Sequence, residues 1–222
     1  MRFRLTPITW SPEDDMSLID PVWRLVEGQH LGTDFHDPIG FGYFEVAAVV
    51  WRLLGPHYYV LRVATDLFAL VIVLCSCLVA MRRLRHSSGL AALFCIVVAL
   101  IASGPSNYGM PADFGIALAY DRLLMAGLAV LFVHSLANNS DFRQVTGYVD
   151  LCFVTFLLNI LFLVKISGLV LGLAIVGSGL VLRGRPTRGL VEFSLILLFL
   201  AMMVAIDFVI TGTSLLPVIH EI

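Results

Sequence analysis

Residues 62–81 read RVATDLFALVIVLCSCLVAM, and RRLRHSSG follows at 82–89. A hydrocarbon core of about 30 Å takes about 20 predominantly apolar residues per helix, and this run has that length and character. Five more stretches qualify or nearly do, at about 89–104, 115–136, 148–164, 167–182 and 190–210. SSG, GPSNYG, ANNSDFR, KISG and RGRPTRG separate them, all rich in turn-forming residues. The second and fifth are short and need little tilt or a locally thinned bilayer. Composition agrees: of 222 residues, 59% are hydrophobic and 14% charged, with mean hydropathy +0.93, whereas soluble domains carry about 25% charged residues. The expected fold is therefore all-α, a polytopic membrane helix bundle of about six transmembrane helices over residues 61–222. An extracytoplasmic acidic segment, residues 1–60, precedes it. The net charge of −2 gives no reason to expect nucleic acid.

Arginine placement sets the orientation. Arg82, Arg83 and Arg85 follow the first span, Arg143 the third, and Arg183, Arg185 and Arg188 the fifth. Of the alternate connections, 104–114 and 211–222 hold no Lys or Arg, and the turn between the fourth and fifth spans holds Lys165 alone. The basic connections thus share one side, read as the cytoplasm, and residues 1–60 lie outside. MRFRLTPITW is basic, but no apolar run of signal-peptide type follows it. A segment starting outside ordinarily has a span or signal before it, so this reading expects an incomplete start or an N-tail translocated unaided.

The acidic segment, 11–54, is SPEDDMSLIDPVWRLVEGQHLGTDFHDPIGFGYFEVAAVVWRLL. Its last part, 39–54, is apolar and aromatic but carries Glu45 and Arg52 on one helical face. It reads as an interfacial helix with Phe41, Tyr43, Phe44 and Trp51 at headgroup depth, against the alternative of a seventh, tilted span. Ser11-Pro-Glu-Asp-Asp is a good helix start, with Ser as cap, Pro at the first position and acids in the first turn. The same acids, with Asp20, Asp34, Asp37, His30, His36 and His57, can instead deprotonate an acceptor hydroxyl or amine. DFHD offers mixed O/N donors without a recognised metal spacing, so no metal site is assigned, and support for a divalent ion is weak.

Ionisable groups inside spans default to functional hypotheses. Asp66, Asp121, Arg122, Lys165 and Asp207 fall toward the outer ends of their spans, with Asn159 below Lys165; Glu192 is the exception at the inner end. Together they suggest one polar cavity opening outward. The plainer reading makes them solvated or snorkelling rim residues, with Asp121 neutralising Arg122. Gly168 and Gly172 form a small-xxx-small pair suited to helix packing. The four cysteines (Cys75, Cys77, Cys95, Cys152) lie in apolar runs and read as small hydrophobes.

These residues resemble the N-terminal part of the polytopic C-type glycosyltransferase superfamily, which includes protein O-mannosyltransferases and the lipid A aminoarabinose transferase. The resemblance rests on Asp14-Asp15, Trp23-Arg-Leu-Val-Glu-Gly28, Asp34-Phe35, Pro38-Ile-Gly-Phe, Leu54-Gly55-Pro56 and Leu61-Arg62. Leu163-Val-Lys165-Ile-Ser-Gly168 is similar to the family's Thr-Lys-x-x-Gly turn between two spans. The resemblance implies transfer of a sugar from a polyprenyl-phosphate carrier to an acceptor at the outer face of a bacterial inner membrane. It makes Asp14 or Asp15 the catalytic carboxylate and Asp34 the second loop acid. It places Lys165 and Arg122 near the donor phosphate, with no cofactor. Family members usually begin with a span before the acidic pair and run considerably longer. A fragment, a pseudo-enzyme or half of a split protein is therefore also expected. The alternative function is a non-catalytic membrane subunit that keeps the fold and serves a partner; a small transporter is less favoured, because charge clusters at one face.

Overall fold

A computed structural model describes residues 12–31, 34–35, 40–56, 60–84, 87–103, 119–136, 145–182 and 186–211. The protein is all-helical. Its helices are α1 (Pro12–Val26), α2 (Phe41–Leu54), α3 (Val60–Arg83), α4 (Ser88–Ser103), α5 (Ala119–Leu136), α6 (Val145–Val164), α7 (Ile166–Leu182) and α8 (Pro186–Thr211). Among the described residues, two segments, Val60–Arg83 and Gly189–Ile210, are long and apolar enough to cross a membrane. Ser88–Ser103, Tyr148–Val164 and Ile166–Leu182 are shorter apolar helices.

Local chemistry accounts for the boundaries. Helix α1 starts at Pro12, which puts Asp14 and Asp15 in its first turn. It ends at Gly28, whose φ of 86° is open to glycine at little cost. There the Gly28 and Gln29 amides close onto the carbonyls of Leu25 and Arg24, at 3.2 and 2.9 Å. Helix α2 stops the same way: Gly55, at φ 88°, donates its N–H to the Trp51 carbonyl, and Pro56 blocks continuation. Two of the stretches that carry the family resemblance, Trp23–Gly28 and Leu54–Pro56, are thus helix stops.

The core runs between α3, α5 and α6, where Leu61, Ile72, Leu123, Leu131, Leu157, Leu158 and Leu161 are fully buried. Helices α6 and α7 form an antiparallel hairpin turned on the single residue Lys165. Gly168 lies over Leu161 and Gly172 over Leu158. A Cβ on Gly168 would sit 2.4 Å from Leu124 Cδ2, and one on Gly172 would sit 2.6 Å from Leu158 Cδ2. Both glycines therefore serve close helix approach. Outward, α3 presents Leu67, Leu70, Leu74 and Leu78, and α4 presents Leu90, Leu93, Val97 and Leu100. Most of the length of α8 is exposed and apolar as well.

Two expectations change. The aromatic residues of α2 do not form a surface band: Phe41, Tyr43 and Phe44 are buried in the protein, and only Trp51 is partly covered. Gly40 and Gly42 explain this. A Cβ on Gly40 would meet the Leu163 carbonyl oxygen at 2.4 Å, and one on Gly42 would meet Leu163 Cβ at 2.6 Å. With no side chains there, the start of α2 lies flush against the end of α6. Phe41 then stacks on Phe208 at 5.1 Å and meets Phe162 edge-on at 5.6 Å. Cys152 also departs from the buried-thiol reading: it is exposed, on the outward side of α6 near Tyr148 and Phe156.

Candidate functional site

Helices α3 and α5 run parallel to each other and antiparallel to α6, which gives the bundle two polar ends. At one end, the tip of the α6–α7 hairpin presents Lys165, 29% exposed, over the start of α5. Its Nζ stands 4.7 Å from the centre of the Tyr120 ring and 3.5 Å from Asp121 Oδ1. An ammonium over an aromatic face is held by the ring quadrupole as well as by the carboxylate. The lysine is thus positioned by two contacts, neither of which is a tight hydrogen bond. Asp121 serves Lys165, and it does not neutralise Arg122. Arg122 is half-buried, with no ion pair or hydrogen bond among the described residues.

The acidic segment reaches this same end. The Gly40 amide donates to the Val164 carbonyl at 2.9 Å, one residue before Lys165. Pro38-Ile-Gly-Phe and Leu163-Val-Lys165-Ile-Ser-Gly168, distant in sequence, therefore meet around Gly40 and Val164. Asp34 is six residues before Gly40 and exposed. Its carboxylate accepts from the His30 amide at 2.7 Å, while its own amide donates to the His30 carbonyl at 2.9 Å, so it closes its own loop. The side chains of Asp14 and Asp15 lie outside the described residues, as do Asp37, His36, His57 and Asp113.

Helix α2 is tied to α1 by Arg52, which donates to the Leu25 carbonyl at 2.7 Å, near the C-terminus of α1. That contact gives a second, charged donor to a carbonyl that already accepts from the Gly28 amide. Burial pushes the Glu45 carboxyl above its ordinary range, against the pull of Arg52 and His30. Burial likewise pushes the Tyr43 hydroxyl up to about 12; the side chain sits 3.0 Å from Thr65 Oγ1 and donates to the Leu61 carbonyl at 3.3 Å.

The remaining predicted polar residues do not join Lys165. Asp66 pairs with Arg62 one turn away, at 3.3 Å on an exposed face. Asp207 accepts from Asn159 Nδ2 at 2.8 Å, linking α8 to α6. That bond lies about 9 Å along the helix from Lys165, at 1.5 Å per residue. Asn159 Oδ1 is buried with no hydrogen-bond partner among the described residues. The outer groups thus form separate pairs.

At the opposite end is a cluster that the sequence reading missed. Asp150, 4% exposed, opens α6. Arg83, at the end of α3, donates to its Oδ2 at 2.5 Å, and Arg82 reaches its Oδ1 at 3.1 Å. His134, near the end of α5, places Nε2 3.6 Å from Asp150 and 3.4 Å from Arg83. The idea that ionisable groups sit almost only at the outer ends, with Glu192 the exception, is therefore corrected. Lone Asp and His residues within apolar runs were the available signal, but Arg82 and Arg83 were read as markers of orientation alone. Glu192 is buried on α8.

Comparisons with family models, with curated proteins and with solved structures find no match to this chain.

Proposed function

We propose that this chain is a multi-pass protein of the bacterial inner membrane that handles a polyprenyl-phosphate sugar at the extracytoplasmic face. In this reading α3–α8 cross the bilayer. The rows of exposed Leu, Ile, Val and Phe on α3, α4 and α8 support it, since water tolerates few apolar surfaces of that extent. The end bearing Lys165 faces outward and the end bearing Asp150 faces the cytoplasm, in keeping with the arginine asymmetry of the connections.

The observation that carries the functional reading is the Gly40–Val164 contact. It joins the acidic segment to the Lys165 turn, the two parts of the chain on which the family resemblance depends. In the reaction, the acceptor oxygen attacks the anomeric carbon and gives its proton to Asp14 or Asp15. The bond from that carbon to the phosphate oxygen breaks, and polyprenyl phosphate leaves with the electron pair. Lys165 and Arg122 stabilise the charge gathering on the phosphate. A carboxylate has an ordinary pKa of about 4, so it is ionised and able to accept at neutral pH.

The test is transfer from a lipid-linked sugar, with membrane insertion checked for each variant. Lys165→Ala is expected to lower the rate by about 10²–10³-fold, and one of Asp14→Asn and Asp15→Asn to abolish most of it. Parental rates in both Asp variants reduce the pair to a helix start. A second reading, the non-catalytic subunit, draws on the pairing of Lys165 with Asp121 and the engagement of Asp34 in its own loop. It wins if the parent transfers nothing while a partner protein requires its presence.

A further inference from the structure

Lys165 is the only lysine in the chain, against thirteen arginines. Its backbone is pinned on three sides. The Lys165 amide donates to the Leu161 carbonyl at 2.9 Å, its carbonyl accepts from the Gly168 amide at 2.9 Å, and the Gly40 amide holds Val164 beside it. What can move is the flexible four-carbon side chain. An ammonium has three N–H donors, and charge-assisted N–H···O bonds run about 2.7–2.9 Å. Among the described residues Lys165 makes none of that length: Asp121 Oδ1 stands at 3.5 Å and the Tyr120 ring centre at 4.7 Å. The cation is held in place while its donors go unused by those two neighbours.

The two neighbours differ in kind. Tyr120, at the start of α5, packs against the core and is fixed there. Asp121, the next residue, is 44% exposed, and Lys165 is its ion-pair partner among the described residues. Exposed pairs are weak, so having to open one lowers the affinity of a competing anion by no more than about fivefold. The attraction of the ring is for the ammonium itself and does not depend on which anion that ammonium faces. A phosphate, with several accepting oxygens able to come within charge-assisted distance, is a stronger partner than a carboxylate at 3.5 Å. It can take the place of Asp121 without dislodging Lys165 from Tyr120.

We infer that Asp121 is a built-in competitor: its carboxylate closes the Lys165 site, and a lipid-borne phosphate opens it by displacing that carboxylate while Tyr120 keeps hold of the ammonium. The inference rests on the proposed handling of a prenyl-phosphate lipid and adds what regulates that site; it needs no transfer chemistry. The single lysine makes the test direct. The full chain in detergent is treated with a water-soluble acetylating reagent, and acetylation of Lys165 is read by peptide mass spectrometry across a titration with farnesyl phosphate. Farnesyl phosphate protects Lys165, and farnesol, which lacks the phosphate, does not. Asp121→Asn reaches half-protection at about two- to fivefold lower concentration. Asp66→Asn removes an equal charge from the exposed pair with Arg62 and leaves the midpoint unchanged. An unchanged or higher midpoint in Asp121→Asn overturns the competitor. An equal gain in Asp66→Asn reduces the effect to net charge and overturns it as well. Protection by farnesol overturns the phosphate, and inorganic phosphate protecting at the same concentration as farnesyl phosphate overturns the lipid source. The expected pattern in a chain that transfers no sugar contradicts the transferase reading and supports the competitor.

Discussion

Asp150 and Asp121 are both carboxylates facing cations across helix ends, yet they do different work. Asp150 is 4% exposed and takes contacts from two guanidinium groups and an imidazole. Its side chain draws the ends of α3 and α5 onto the start of α6. Asp121 is 44% exposed and stands 3.5 Å from one lysine. A buried ion pair is hard to open because breaking it strands a charge in a low-dielectric interior. A half-exposed pair exchanges readily with water or with another anion, and contributes little to stability. One end of the bundle is therefore fastened, while the other holds its cation loosely. The contrast teaches that residue type alone does not distinguish a fastened ion pair from a loose one. Burial and the number of partners do.

The largest expected effect breaks the fastened end. Asp150→Asn leaves Arg83 without its charged partner and should cost about 3–5 kcal/mol. It is read as a lower melting temperature in detergent, with Asp121→Asn changing stability by no more than about 1 kcal/mol. Equal losses in the two variants would erase the distinction between the ends. Next comes the seat of the open end. Gly40→Ala forces a Cβ to within 2.4 Å of the Leu163 carbonyl, backbone that cannot rotate aside. Overpacking of this kind costs about 1–3 kcal/mol, and an unchanged melt would show that α2 does not need its flush contact with α6.

The smallest effect is a pH dependence at Glu45. Burial raises its folded-state pKa above the unfolded value, so the fold favours the protonated form. That contribution is fully present below the ordinary carboxylate range and is lost as pH rises through the folded pKa. Glu45→Gln, which keeps a neutral side chain at every pH, should therefore raise the melting temperature at pH 7 and leave it nearly unchanged at pH 4. A lower melt at pH 7 would mean that attraction from Arg52 and His30 outweighs the burial.

Helix positions were legible because hydropathy runs and turn residues are local signals. The stretch 62–81 became α3 (Val60–Arg83), 39–54 became α2 (Phe41–Leu54), and Ser11-Pro12 marked the start of α1. Lys165 was legible as a polar residue at a tight turn. Its partner was not, since a charge near the outer end of a span can pair along its own helix or across to another, and Asp121 pairs with Lys165 rather than with its neighbour Arg122. Asp150 and His134 escaped for the same reason: their partners lie on other helices, more than fifty positions from Arg83 in sequence. The aromatic residues of α2 were misplaced because an apolar face looks alike whether it meets lipid or protein. Gly40 and Gly42 carried the missing information, in the room they leave for Leu163.

The central claim is that the Lys165 end, with the acidic segment seated on it, faces outward while the Asp150 end faces the cytoplasm. Single-cysteine labelling tests it most directly, after Cys75, Cys77, Cys95 and Cys152 are replaced. Asp34→Cys probes the acidic segment. Ser87→Cys probes the connection after α3, four residues beyond Arg83. A membrane-impermeant maleimide should label position 34 in intact cells and position 87 only after permeabilisation. Labelling of position 87 but not 34 in intact cells would contradict the account.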